Sequence, residues 1–292
     1  MREGFALVDG RLVPLARARV PIVDRGFLLG DGAFETLRVR AGHAIHPERH
    51  LERLRRGLGA IGIADTAADE AAEAVGRLVE EGSRRIGSEL YLRVHVTRTA
   101  DAAEERLDAP GVVSGIVRAF VPYPERAYSE GLRVALSGHR KISTDPLATV
   151  KSLSYLPYLM VRRRARAEGW DDALVRNEHG RLIEASTSNL FVVRQGRLHS
   201  PGPKEGALDG VTRSVVLEEA RSLGIPVDET VDPSTLGQAD EVFLTNTVGG
   251  LLPVREVQGV DSVPAGPTGR VWRRLADAYE AHLAAFSAGP KP

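Results

Sequence analysis

The stretch Ala148-Thr149-Val150-Lys151-Ser152-Leu153-Ser154-Tyr155-Leu156 sets a lysine among apolar neighbours. Lysine is scarce in this chain: 39 of its 292 residues are Lys or Arg, and only Lys141, Lys151, Lys204 and Lys291 are lysines. Arginine stays protonated at any working pH and cannot serve as an amine nucleophile, so each remaining lysine is informative. Lys291 lies in the tail. Lys204 sits in the loop-like Pro201-Gly202-Pro203-Lys204-Glu205-Gly206, and Lys141 follows His139 and Arg140 in a polar stretch. Lys151 alone has apolar company. Partial burial lowers a lysine pKa and frees the amine to attack an aldehyde. A packed segment can equally carry a lysine that snorkels its ammonium to water. The segment by itself is compatible with both.

Downstream of Lys151, residues 157–168 predict a helix stopped by Gly169. Residues 173–176, 181–184 and 190–193 predict short strands, joined by turns at Asn177-Glu178-His179-Gly180 and Gln195-Gly196. A helix follows Gly210, and 241–244 is a further strand. Upstream, 132–136 predicts a strand and 137–145 a polar loop. The segment 122–130 holds two prolines and little apolar material, the composition of an interdomain linker. Strands at 5–8 and 11–14 flank a turn at Asp9-Gly10, and 36–40 is a third strand. Pro47 opens a helix with Leu51, Leu54, Leu58 and Ile61 at helical spacing, and 67–81 is a second helix. Strands at 90–96 and 115–121 complete this part. Helices and strands mix without a regular βαβ period, which predicts an α+β fold. The expected domains are a small one over 1–121 and a larger one over 131–292.

Basic and acidic residues are equal at 39 each, so no net field recruits nucleic acid or an anionic membrane. The absence of cysteine excludes disulfides, thiolate metal sites and cysteine nucleophiles. No run approaches the ~20 apolar residues of a membrane helix, and Met1-Arg2-Glu3-Gly4 lacks the apolar stretch of a signal peptide. The expectation is a cytoplasmic enzyme with a frayed tail over 287–292. Gly30-x-Gly32 with Gly26 nearby is no dinucleotide loop, because the segment runs into a strand instead of opening a helix. His43, His46 and His50 have no cysteine and no acidic partner at ligand spacing, so they read as solvated or structural. Tyr91-Leu92-Arg93-Val94-His95-Val96-Thr97-Arg98 alternates, placing Tyr91, Arg93, His95 and Thr97 on one strand face. Such a face is either a cavity wall that binds a carboxylate or a surface turned to water.

Lys151-Ser152-Leu153-Ser154-Tyr155-Leu156, followed by Ala165-Arg166-Ala167-Glu168-Gly169-Trp170-Asp171-Asp172-Ala173, resembles the Schiff-base segment of class IV aminotransferases. These are the pyridoxal 5′-phosphate (PLP) fold-type IV enzymes: branched-chain aminotransferases, D-amino-acid transaminases, (R)-amine transaminases and aminodeoxychorismate lyases. Further segments agree in order. They are Gly30-Asp31-Gly32-Ala33-Phe34-Glu35-Thr36, His50-Leu51-Glu52-Arg53-Leu54, Glu184-Ala185-Ser186-Thr187-Ser188-Asn189-Leu190-Phe191, Gly210-Val211-Thr212-Arg213, and Ala239-Asp240-Glu241-Val242-Phe243 running on to Thr247. The likeness covers about residues 8–259.

The resemblance implies a small N-terminal α/β domain and a larger C-terminal mixed α/β domain with the active site between them. It also implies a homodimer with each site near the subunit interface. Lys151 would form the Schiff base with PLP and shuttle a proton between the substrate Cα and the cofactor C4′. Glu184 would pair with the pyridine nitrogen and keep the ring an electron sink. Tyr155 would hydrogen-bond the phenolic oxygen and Leu208 would pack on the ring face. Val211 and Thr212 at a helix start, Arg53 and Thr247 would hold the phosphate.

On the substrate side the resemblance is mixed. Tyr91-x-Arg93 is similar to the branched-chain enzymes, although Leu29 stands where they carry a tyrosine. Val96-Thr97-Arg98 resembles D-amino-acid transaminases, where that arginine grips the α-carboxylate. Gly30-Asp31-Gly32 resembles those enzymes and the lyases. Phe34-Glu35-Thr36 resembles the lyases, in which a threonine at the Thr36 position assists pyruvate release. Phe34, Thr36, Tyr91, Arg93, Arg98 and Val248 form the implied substrate set. The leading expectation is ping-pong transamination between a D-amino acid and a 2-oxo acid such as pyruvate or 2-oxoglutarate. Arg93 and Arg98 are its candidate anchors, because 2-oxo acids need a bidentate partner. The alternative is an aminodeoxychorismate lyase yielding 4-aminobenzoate and pyruvate; branched-chain L-amino-acid transamination ranks third. A mere PLP carrier would need Arg53, Thr212 and Thr247, but not Lys151 and Glu184 together.

Overall fold

Asp9 and Gly10 take φ of 48° and 68°, the paired positive angles of a primed two-residue turn, whose twist matches that of the strands it joins. They connect β1 (Gly4–Val8) and β2 (Arg11–Pro14) in the computed structural model, which describes residues 4–99, 107–260 and 265–287. The expected fraying of 288–292 lies outside the described residues. The chain divides into two compact units. The first comprises 1–121, 150–155 and 283–292, the second 122–149 and 156–282.

In the first unit, α1 (Arg25–Leu29) leads into β3 (Gly32–Arg40) and the two-residue β4 (His43–Ala44). Helices α2 (Pro47–Ala60) and α3 (Thr66–Arg85) precede β5 (Leu90–Arg98) and β6 (Gly111–Ala119). The strands form one antiparallel sheet in the order β2-β1-β6-β5-β3-β4. Leu37, Val39, Leu90, Leu92, Val94 and Val96 pack on Leu54, Leu58, Ala71, Val75 and Leu78 of α2 and α3. Strand period two therefore sends Ala33, Glu35, Leu37 and Val39 into this core, and Phe34, Thr36 and Arg38 to the other face. The strand expected at 115–121 begins earlier, at Gly111, because β5 offers partners as far as Arg98.

Glu35 is a carboxylate in that core, with no exposed surface. Arg53 grips it bidentately, Nε to Oε1 and Nη2 to Oε2 at 2.7 Å each. His50 Nδ1 lies 2.7 Å from Oε2. Burial pushes the Glu35 carboxyl up, but the charges and hydrogen bonds of Arg53 and His50 prevail and hold it well below the usual range. Burial pushes His50 down, against the pull of Glu35. His46, with φ 48°, caps α2 and lies 4.5 Å from the Phe286 ring.

The segment 150–155 runs along β3. Phe34 N donates to Lys151 O and Leu153 N to Gly32 O, both at 2.9 Å, around an antiparallel bridge between Ala33 and Ser152. Val150 packs on the sheet core. Gly32 is required there, since a Cβ would collide with Val96 O and Leu153 Cδ1.

The second unit holds α4 (Arg126–Ser129), β7 (Leu132–Lys141), α5 (Leu156–Ala167), β8 (Asp172–Asn177), β9 (Leu182–Ala185) and β10 (Asn189–Arg194). Next come β11 (Arg197–His199), α6 (Val211–Ser222), β12 (Val227–Asp228), α7 (Pro233–Leu236), β13 (Glu241–Asn246) and β14 (Gly250–Val257). Helix α8 (Arg270–Ser287) ends the described chain. The sheet is mixed, in the order β12-β11-β10-β13-β14-β7-β8-β9, and β9 pairs again with β10 through Glu184 opposite Asn189. The strands from β10 round to β9 thus form a closed ring. Val134, Leu174, Leu182, Leu190, Val192, Val242, Leu244, Leu252 and Val254 pack together within it, while Phe191 and Phe243, on the other face of β10 and β13, stack with ring centroids 4.8 Å apart. The fold is α+β, with no regular βαβ repeat.

Two segments differ from expectation. The polar stretch 137–141 is not loop but the second half of β7, which pairs Arg140 with Arg176 and Lys141 with Asn177 beyond a register shift. Gly138, His139 and Arg140 are exposed, so no apolar alternation betrays the strand. The stretch 122–130 carries α4, and Tyr123, Ala127 and Tyr128 pack on the core of the second unit. These anchors outweigh its prolines.

Replacing Glu35 with alanine leaves the Arg53 guanidinium buried without its carboxylate. Urea unfolding should show a loss of about 3–5 kcal/mol, whereas Glu52→Ala, which breaks the exposed pair with Arg56, should lose no more than about 1 kcal/mol.

Candidate active site

On the first unit, the face of β3 opposite the core gathers around the ring of Phe34. Lys151 Nζ lies 4.7 Å from the ring centroid and Arg93 Cζ 3.7 Å. Tyr155 meets the ring edge-on at 5.7 Å, and the His95 ring centroid is 6.5 Å away. The register explains the cluster: Phe34 faces His95, Thr36 faces Arg93 and Arg38 faces Tyr91 across β3 and β5. The alternation of β5 places Tyr91, Arg93 and His95 on this face as expected. Arg93 Nε is buried and has no hydrogen-bond partner among the described residues. Arg118 Cζ lies 4.2 Å from the Tyr91 ring centroid. The half-buried face thus presents one amine and one guanidinium over a shared aromatic ring, with a hydroxyl beside them.

Arg98 is elsewhere. Its side chain is buried on the opposite face of β5, where Nε donates to Asp31 Oδ2 at 3.1 Å, Nη1 to Gly62 O at 3.1 Å and Nη2 to Ile61 O at 2.6 Å. Those bonds tie the turn between α2 and α3, so of the two candidate carboxylate anchors only Arg93 lies on the face that carries Phe34. Arg53 also sits under the sheet, with Nε and Nη2 given to Glu35.

On the second unit, Glu184 is 5% exposed at the seam where β9 meets β10. Its Oε1 accepts from Lys141 Nζ at 2.8 Å and from Tyr158 OH at 3.0 Å, and its Oε2 accepts from Leu208 N at 2.9 Å. Asn189 Nδ2 donates to Leu208 O at 2.8 Å, so the seam and residue 208 are held as one piece. Val211 and Thr212 form the first turn of α6, whose N-cap Gly210 provides no side-chain cap. A Cβ on Gly210 would run into Asn189 Oδ1; glycine lets the backbone pass. Thr247 and Val248 occupy the turn between β13 and β14, where Asn246 Oδ1 accepts from Val248 N at 2.9 Å and Gly249 N at 2.7 Å.

The residues singled out in the sequence therefore fall into two groups. Phe34, Thr36, Tyr91, Arg93, Lys151 and Tyr155 share the sheet face of the first unit. Glu184, Leu208, Val211, Thr212, Thr247 and Val248 belong to the second. Sequence reasoning missed two partners of Glu184. Lys141 was hidden in a polar stretch, although lysine scarcity marked it, and Tyr158 was one aromatic near the start of a helix.

The family model for amino-transferase class IV matches residues 32–257. The D-alanine aminotransferase of Listeria monocytogenes serotype 1/2a (strain 10403S) is 30% identical over 277 residues, 92% of this chain and 92% of that protein. The crystal structure of the branched-chain aminotransferase from Thermoproteus uzoniensis with norvaline aligns with a TM-score of 0.85 at 28% identity, covering 97% of this chain and 95% of that one. The T.th. branched-chain amino acid aminotransferase complexed with N-(5'-phosphopyridoxyl)-L-glutamate aligns with a TM-score of 0.85 at 25% identity, covering 100% and 96%.

Burial, then the charge of Arg93, push His95 down to about 4 from the ordinary 6.5. It is therefore uncharged beside Arg93 at neutral pH. Between those values the unfolded chain binds a proton that the folded chain refuses, so stability falls as pH drops through this window. In urea melts at pH 7.5 and 4.5, His95→Gln should lose less stability than wild type, the difference being roughly 2–3 kcal/mol.

Proposed function

We propose that this chain, which belongs to the class IV aminotransferase family and depends on PLP, moves an amino group from a D-amino acid to a 2-oxo acid in a ping-pong cycle. The observation that carries the reading is the shared Phe34 ring, with the Lys151 amine and the Arg93 guanidinium over it. One group can bind an aldehyde and the other a carboxylate. The D-specific form draws support from the D-alanine aminotransferase likeness over 92% of the chain, and from Leu29 at the place where branched-chain enzymes carry tyrosine.

The residues present fit the cofactor. Gly210 opens α6 without a side-chain cap and leaves no room for a Cβ, as suits a helix start that receives a phosphate. Glu184 is a shielded carboxylate suited to a ring nitrogen. When bound, PLP supplies the aldehyde and an electron-withdrawing ring. Lys151 holds it and moves the proton between the substrate Cα and C4′. Tyr155 serves the phenolic oxygen, and Leu208 the ring face. Val211, Thr212 and Thr247 would serve the phosphate, to which Arg53 would add its charge while its Nε and Nη2 stay on Glu35. Arg93 takes the substrate carboxylate, its buried Nε being a donor in need of an acceptor. Phe34, Thr36, Tyr91 and Val248 line the substrate.

A second reading, L-branched-chain transamination, draws on Tyr91 and Arg93 sharing one face and on the solved branched-chain relatives. Thr36 opposite Arg93 keeps the lyase as a third. Purified holoenzyme assayed with D-alanine, D-glutamate and L-leucine against pyruvate and 2-oxoglutarate separates the first two, and pyruvate release from aminodeoxychorismate reports the third. The expected outcome is turnover of the D-amino acids; turnover of L-leucine alone would replace the leading reading by the second. Lys151→Ala should lower turnover by roughly 10³-fold or more.

No helix among the described residues is long and apolar enough to cross a membrane, and the reading sets the enzyme in the cytoplasm. We also propose a homodimer. Val20, Ile22, Val23, Phe27, Leu28 and Leu29 are all more than half exposed within ten consecutive residues, an apolar patch of the kind that marks an interface. Sedimentation should give a dimer that Phe27→Asp with Leu28→Asp weakens; a fully active monomer would refute it.

A further inference from the structure

Glu184 is held by a charge that its assigned task does not need. Lys141 Nζ sits 2.8 Å from Oε1, with side chains 13% and 7% exposed, so solvent screens the pair little. Tyr158 OH shares the same oxygen at 3.0 Å, and Lys141 Nζ lies 5.5 Å from the Tyr158 ring centroid. Leu208 N takes Oε2. The carboxylate is thus fixed from both sides, and one of its fixings carries a full positive charge at the end of β7.

A lone buried carboxylate favours a proton on whatever basic nitrogen it faces, because the resulting cation is paired. A lysine already on that carboxylate cancels part of its field and adds a like charge nearby, which disfavours the second cation. Resting on the reading of Glu184 as partner of the ring nitrogen, we propose that Lys141 is a positioning residue that orients Glu184 while its charge moderates the protonation of the cofactor's ring nitrogen. Tyr158 contributes orientation without charge.

The test reads the nitrogen directly, not activity. Holoenzyme loaded with PLP carrying ¹⁵N in the ring is compared by NMR at one pH for wild type, Lys141→Met, Lys141→Gln, Lys141→Arg and Glu184→Gln. Both neutral variants should move the ring resonance toward the protonated position, with the protonated-to-neutral ratio rising roughly tenfold. Lys141→Arg, which keeps the charge, should stay near wild type. Glu184→Gln should move it the opposite way. If Glu184→Gln shifts the resonance and the neutral Lys141 variants do not, Lys141 has no such role. If Lys141→Arg moves as far as Lys141→Met, the charge is not the cause and the proposal falls. Loss of cofactor from both neutral variants, with Lys141→Arg still loaded, makes Lys141 a binding contact and overturns it too. No response to Glu184→Gln removes the reading of Glu184 itself, a result distinct from the others.

Discussion

A carboxylate with no exposed surface lies beneath β3, and both of its partners, His50 and Arg53, come from a single helix. Removing one partner of such a buried pair costs far more than the pair contributes net, so the arrangement specifies as much as it stabilises. A slip of β3 by one residue would carry Glu35 to the outer face and bury Phe34 against Arg53. The ring on which Lys151 and Arg93 converge would then be lost. The segment 150–155 bonds to the backbone of Gly32 and Phe34, so the place of Lys151 depends on the same register. The chemistry proposed for the outer face rests on an ion pair on the inner one.

The second unit meets a similar demand by closing its strands. The closing pair joins Glu184 to Asn189. Asn189 reaches the carbonyl of Leu208, and the amide of Leu208 reaches Glu184. Three polar groups at a buried seam thus satisfy one another, while Gly210 lets α6 start immediately beyond. The helix start and the carboxylate are built from neighbouring parts of one hydrogen-bonded loop, which couples the proposed phosphate and ring-nitrogen positions through a few rigid contacts.

Much of this was legible because strand period and turn chemistry are local. Asp9-Gly10 and Gln195-Gly196 form the expected turns with paired positive φ, and the alternation of β5 sorted Tyr91, Arg93 and His95 correctly. That alternation also puts Arg98 on the opposite face, where it donates to the carbonyls of Ile61 and Gly62. What the sequence concealed was non-local. Arg53 finds Glu35 across 18 positions and Lys141 finds Glu184 across 43. Lys141 lies on a strand whose exposed residues give no apolar rhythm. Composition, through the rarity of lysine, marked the residue but supplied no partner.

The order of the chain through the two units has a consequence for biosynthesis. Residues 1–121 emerge first, yet their sheet acquires its pairing along β3 only when 150–155 has been made, and His46 meets Phe286 only near the end of α8. Contacts so distant in sequence close late and slow the search for the native state. On the ribosome, the nascent first unit therefore waits, with the start of β3 unpaired on one side, until residues 122–149 of the second have been translated. An unpaired strand edge is a template for association with another chain, so this interval, more than the finished fold, is where the protein is exposed to misassembly and where a chaperone would act.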